Sequence, residues 1–403
     1  MDGGGRCWPK MGVCEFMNTS EFFRLAFERG QGVLRLAPTW VPRALLRPGG
    51  RLRLHPNDLY ALGGQRGGID ERWLASNVVA DNGPGTPADE GLSYVEMDGD
   101  CVPLREFTGD SWQVLCKLFD NAVPIPLHVH PSDAQAALLG KRGKPEAYYF
   151  PAQYNANPGA FPYTFFGLQA HTSRDAVRRC LQRWGDGDNG ILSLSQAYKL
   201  KPGTGWQVDT NVLHAPGTMV TYEPQAPSDV GAKFESMCGG NPLPWDALAG
   251  QMPEASRNDL DYILSWIDFE KNTDPFFAQF NYREPLGCSE SELFLEKWIV
   301  YGSPYFSARE LAVGPGFSVV VRDARAYGAL VVQGRGTING LDCEVPTLVR
   351  FGQMTADEFF VSSEAAAAGV TITNASRTEP LVILKCFGPG HPEAEEFIEC
   401  KSE

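Results

Sequence analysis

The sequence predicts a mainly β protein interrupted by a helical segment. Turn formers are abundant, with 43 Gly and 30 Pro. Short apolar runs alternate with polar residues over most of the chain, and only a few stretches carry helical periodicity. At 403 residues the chain exceeds what one hydrophobic core usually organises, so two domains are expected. The core material for them is present, since hydrophobic residues make up 43% and charged residues 21%.

Residues 20–120 run through VLRLAP, RLRLHP, LYALGG, WLASNVVA and DSWQVLCKLF, a pattern that suits short strands between Gly and Pro breaks. TSRDAVRRCLQRW at 172–184 reads as an amphipathic helix. Ser173 is placed to cap it, Ala176, Cys180, Leu181 and Trp184 fall at helical spacing, and Gly185 follows its end. ILSLSQAYKLKPGTGWQVDTNVLHAPGTMVTYE then alternates around a PGTG turn, as consecutive antiparallel strands do. Between about 240 and 297 the texture changes to NPLPW, DLDYILSWIDFEK at helical period, and SESELFLEKW, read as a helical linker. From 298 to 390 strand-like pieces return in SVVVRD, GALVVQGRGTING, GVTITN and PLVILKCFG. The expected organisation is a first domain over 1–235, a helical linker over 236–297 and a second β-domain over 298–403.

A formal net charge of −14 argues against a nucleic-acid binder, whose affinity rests on clustered Lys and Arg, and favours a small polar ligand. No stretch approaches the roughly 20 apolar residues that span a bilayer, and MDGGGRCWPKMGVCEFMN at the start lacks a signal-peptide run. A cytoplasmic protein with no membrane contact is expected. The ten Cys show no CxxC, so inert free thiols are expected rather than a zinc knuckle or disulfide framework.

Six His occur in the chain, and two of them form PLHVHP. Residues two apart on a strand share a face, so His128 and His130 can chelate one ion. GKPEAYYF places Glu146 at the head of a strand-like run, and the turn NVLHAPG presents His214. Three imidazoles and one carboxylate suit Zn, Fe, Mn, Co or Ni, with a coordination position left for water or substrate. His55, His171 and His391 lack such company and are expected to be surface or structural.

These segments resemble the type I phosphomannose isomerases. ERWLASN (71–77) is similar to that family's ExWExS, and VLCKLFDNAVPIPLHVHP to its KxLDxxxxLSxQxHP. The likeness continues through GKPEAYYF, FGLQAHTSRDAVRRCLQ, LHAPGT and PYFSARELAVGPG. It implies a double-stranded β-helix (cupin jelly roll) bicupin. The first barrel would carry the metal, and the second, with no His between 298 and 390, would have lost its ligands. It also implies an aldose–ketose isomerase with one divalent metal, zinc first, acting on mannose 6-phosphate and fructose 6-phosphate or a related sugar through a cis-enediol.

By the same resemblance, Glu223 would be the proton-shuttling base, Lys144 would donate to a developing oxyanion, and Lys233 would contact the sugar. Lys117 also matches, with a structural role about as expected as a catalytic one. The chain departs from the family at three places. His128 stands where the family has a Gln ligand, Pro126 where it has Ser, and Lys233, in SDVGAK, where it has Arg. A His3Glu set also serves oxygenases, epimerases and lyases on sugar derivatives, and a sugar-binding bicupin without turnover is a third possibility.

Overall fold

A computed structural model describes Lys10–Met11 and residues 18–399 of the chain. The fold is mainly β, of cupin type, with largely antiparallel sheets. The first barrel has a five-stranded sheet, containing Tyr163–Leu168, His214–Pro216, His128–Val129 and Ala232–Lys233, facing a seven-stranded sheet. At the centre of the latter lie Glu146–Tyr149, Thr221–Gln225, Leu115–Phe119 and Gly68–Leu74. The second barrel pairs a ten-stranded sheet, with Tyr327–Gln333, Leu381–Phe387 and Ser307–Val313 at its centre, with a four-stranded outer sheet. That outer sheet is wet on one face. Ser318–Val321 accordingly buries Val319 and Val321 and exposes Ser318 and Val320.

The seven-stranded sheet is covered on both faces, and the two-residue period of its strands decides what each face carries. In Leu115–Phe119, Cys116 and Leu118 join the core between the barrels, whereas Leu115, Lys117 and Phe119 turn into the first barrel. Thr221–Gln225 sends Tyr222 outward and Glu223 inward, and Glu146–Tyr149 sends Ala147 and Tyr149 outward and Glu146 and Tyr148 inward. Arg72 crosses between the barrels to Asp357 and Glu358, at 2.8 and 2.9 Å.

Several sequence expectations need correction. Thr19–Gly30 is a helix, capped by Asn18, that buries Phe22, Phe23 and Ala26; the strand reading of this region overlooked that stripe. RLRLHP forms only a bridge from Leu54 to Val349, and LYALGG forms turns. Val33–Ala37 pairs with Glu358–Val361, so this early strand belongs to the second barrel's sheet, and the chain enters the first barrel only after Pro38, with Thr39–Arg43. Helix Arg174–Gln182 begins at its Ser173 cap. DLDYILSWIDFEK, read as one helical run, splits into Leu260–Leu264 and Phe269–Asn272, the second capped by Asp268. Both lie with Asp246–Ala249 over the five-stranded sheet, where Leu248, Ile263, Leu264 and Trp266 meet Leu127, Val129 and Ala215. The end of the stretch read as linker is not helical: Leu286–Glu290 and Phe294–Val300 pair as a hairpin.

Candidate metal centre

His128, His130, Glu146 and His214 are all buried, and their ligand atoms lie within 4.8 Å of one another. The sheets bring them together. His214 and His128 are directly opposed in the five-stranded sheet, His130 follows two residues later, and Glu146 comes from the facing sheet. Each imidazole is oriented from behind by a backbone carbonyl. Nδ1 of His128 lies 2.8 Å from Pro126 O, that of His130 2.6 Å from Val230 O, and that of His214 2.8 Å from Val212 O. A carbonyl only accepts, so Nδ1 carries the hydrogen and each Nε2 turns a bare lone pair to the centre.

That arrangement fits a cation. Nε2 of His130 and His214 lie 3.1 and 3.2 Å from Glu146 oxygens, yet His214 Nε2 makes no hydrogen bond. Buried polar atoms are normally satisfied, so lone pairs converging without hydrogens between them point to an ion as the missing partner. Burial, with the charge of Lys233, holds His128 well below the usual histidine range; burial, with Lys144, brings His130 to about 3. Both rings are therefore neutral, as ligation requires.

A cavity of about 410 Å³ opens beside the cluster. Lys117 reaches Glu71 and Glu223, each at 3.1 Å, and Lys144 lies 2.8 Å from Glu146, 3.0 Å from His130 Nε2 and 3.8 Å from Glu223. Burial, then the charge of Glu146, pushes Glu223 up to about 7; a cation among the ligands acts in the opposite direction. Lys233 is directly opposed to His128 across the sheet, which puts both on one face, and it also lines the cavity. Burial, then the neighbouring Lys144 and Arg43 charges, lowers its ammonium to about 8.

The structure thus gathers Glu223, Lys144, Lys233 and Lys117 around the His128, His130, Glu146 and His214 cluster. The sequence reading missed Tyr148, whose hydroxyl donates to Glu146, although it stands two residues on in the same strand. It also missed Arg43, held by Glu71 and Asp229. Glu71 opens ERWLASN and Asp229 lies in SDVGAK, so segments already singled out contained both. His391 is buried against Trp298 and Phe387, far from solvent and in the other barrel. All seven cysteines among the described residues are free. None of the described helices is long and apolar enough to cross a membrane.

No family model and no curated protein matches the sequence. Solved structures do match. The mannose 6-phosphate isomerase of Bacillus subtilis is 18% identical, over 88% of this chain and 99% of its own, with a TM-score of 0.59. A phosphomannose isomerase mutant from Salmonella typhimurium is 12% identical, over 89% and 100%, at 0.56. A mannose 6-phosphate isomerase bound with zinc and yttrium is 13% identical, over 89% and 100%, at 0.55. Across nearly its whole length, this chain has the fold of the mannose 6-phosphate isomerases.

Proposed function

We propose that the protein is a metal-dependent aldose–ketose isomerase, interconverting mannose 6-phosphate and fructose 6-phosphate or a related sugar pair through a cis-enediol. The observation that supports this most is a buried carboxylate, Glu223, positioned by two lysines in the cavity that the His3Glu cluster adjoins. His128, His130, Glu146 and His214 would hold the ion. Zinc is the first choice, because imidazole and carboxylate ligands suit it and one structural neighbour is bound with it. Mn, Fe, Co and Ni suit the same donors.

When bound, a divalent ion would polarise the carbonyl and hydroxyl oxygens of the open-chain sugar. Glu223 takes the proton from C2 of the aldose and returns it to C1, and a carboxylate titrating near neutrality suits both transfers. Lys117, at 3.1 Å, fixes the orientation of Glu223. Lys144 donates to the oxygen on which negative charge develops.

The test is an NMR assay of metal-loaded protein in deuterated water with mannose 6-phosphate, fructose 6-phosphate and free aldoses. Deuterium entering at C2, or ketose appearing, and stopping when a chelator is added is the expected result. One metal per chain without exchange on any sugar would instead favour an oxygenase, epimerase or lyase, or a sugar-binding protein without turnover.

A further inference from the structure

Backbone carbonyls fix the rings of His128, His130 and His214, but they cannot fix Glu146. A carboxylate only accepts, so it has to be oriented by a donor. Two side chains take that part. The Tyr148 hydroxyl donates to Oε1, and the Lys144 ammonium lies 2.8 Å from Oε2. Each oxygen also faces an imidazole, Oε1 the Nε2 of His214 at 3.2 Å and Oε2 that of His130 at 3.1 Å.

The two donors are held very differently. Lys144 precedes the strand, carries its charge on a flexible stem, and also lies 3.8 Å from Glu223. Tyr148 belongs to the strand Glu146–Tyr149 itself, where the two-residue period puts it on the same face as Glu146. Pairing with Trp206 in the next strand fixes its register. The buried Tyr148 ring stands edge-on to Phe119 and tilted against Phe166, each with its centre 6.0 Å away, and the His214 ring lies 6.3 Å off. Tyrosine has few torsions, so a ring packed on these sides leaves its hydroxyl little freedom.

We infer that Tyr148 is the positioning residue for Glu146: its hydroxyl, anchored by a ring packed inside the barrel, holds the carboxylate in the orientation in which it ligates the ion. This rests on the reading of the same cluster as a metal centre. Tyr148 does for the carboxylate what the three carbonyls do for the imidazoles. The ligand is then held without Lys144, whose ammonium is left to serve the substrate oxygen.

Tyr148→Phe tests this, since it removes one oxygen and keeps the ring. Zinc affinity is read by competition with a coloured chelator, and ligand geometry by the visible absorption of the cobalt-loaded protein, cobalt suiting the same donors. An affinity about 10–100-fold weaker, with displaced cobalt bands, is the expected result. Tyr149→Phe is the control. It removes a buried hydroxyl of the same strand that donates to Glu310 at 2.8 Å on the outward face, and both readouts should keep their wild-type values. Lys144→Met should not weaken zinc binding. Wild-type affinity and bands in Tyr148→Phe overturn the inference. So does an equal loss in Tyr149→Phe, which would make the effect one of barrel packing, or a loss confined to Lys144→Met, which would make Lys144 the orienting donor. A wild-type protein that takes up neither zinc nor cobalt overturns the metal reading itself.

Discussion

In the first barrel three imidazoles turn bare Nε2 atoms toward Glu146, whereas in the second barrel Arg309 and Lys385 turn N–H donors toward Asp323 and Glu296. Both clusters occupy inward positions of barrel strands. Trp298, Arg309, Lys385 and Ala329 form one cross-strand row, with the Arg309 guanidinium 3.9 Å from the Trp298 ring centre and Lys385 2.8 Å from Asp323. The second cluster is compensated within the protein, cation against carboxylate. The first has one internal cation, Lys144 beside Glu146, and still leaves the His214 Nε2 lone pair without a hydrogen-bond partner. An interior with its ions paired holds a fold together, while one with unmet lone pairs binds something.

This contrast can be broken from either side. The largest effect is expected from His214→Ala, which removes one of the converging lone pairs. Metal should be lost on gel filtration and turnover should vanish, with the second barrel still folded by circular dichroism. Glu223→Gln leaves the four ligand residues intact, so metal content measured by elemental analysis should stay at the wild-type value while kcat falls by about 10²–10⁴-fold. A Glu223→Gln protein lacking metal would undercut its role as base. The base must be ionised to take a proton, so wild-type kcat should rise with pH and level off above about 7 or lower, the bound cation favouring the ionised form.

In the second barrel the expectation reverses. Lys385→Met should leave the metal stoichiometry unchanged and destabilise the protein by about 3–5 kcal/mol in urea unfolding, because it leaves the buried carboxylates of Asp323 and Glu296 to share Arg309. The smallest effect is expected at Gly231. A Cβ there would stand 2.8 Å from His130 Nδ1, the atom that bonds Val230 O. Gly231→Ala should therefore weaken metal affinity by about 10–100-fold, the usual effect of disturbing the group that orients a ligand. Competition with a coloured chelator measures it.

How much of this the sequence discloses depends on the range of the interaction. The convergence of His128, His130, Glu146 and His214 was legible because HxH exploits the two-residue strand period, and Glu146 and His214 sit in short segments with turns around them. The cap of helix Arg174–Gln182 was legible for the same local reason. Partners far apart in sequence were not. VLRLA declares a strand but not that its neighbour is Glu358–Val361, and Arg43 declares a charge but not that Glu71 and Asp229 will surround it. The helix Thr19–Gly30 escaped because its buried Phe22, Phe23 and Ala26 pack on a core assembled from both barrels. Lys144 reaches the site from outside the strand that carries Glu146. The strand begins at Glu146, so Lys144 lies just before it and reaches its carboxylate from the preceding loop.

The contrast between the barrels is tested most directly by counting metal ions in the protein purified without added metal or chelator. Elemental analysis should find one divalent ion per chain, lost from His214→Ala and kept by Lys385→Met. A wild-type protein with no ion, or an ion that survives His214→Ala and disappears with Lys385→Met, would contradict the assignment of the first barrel as the metal centre.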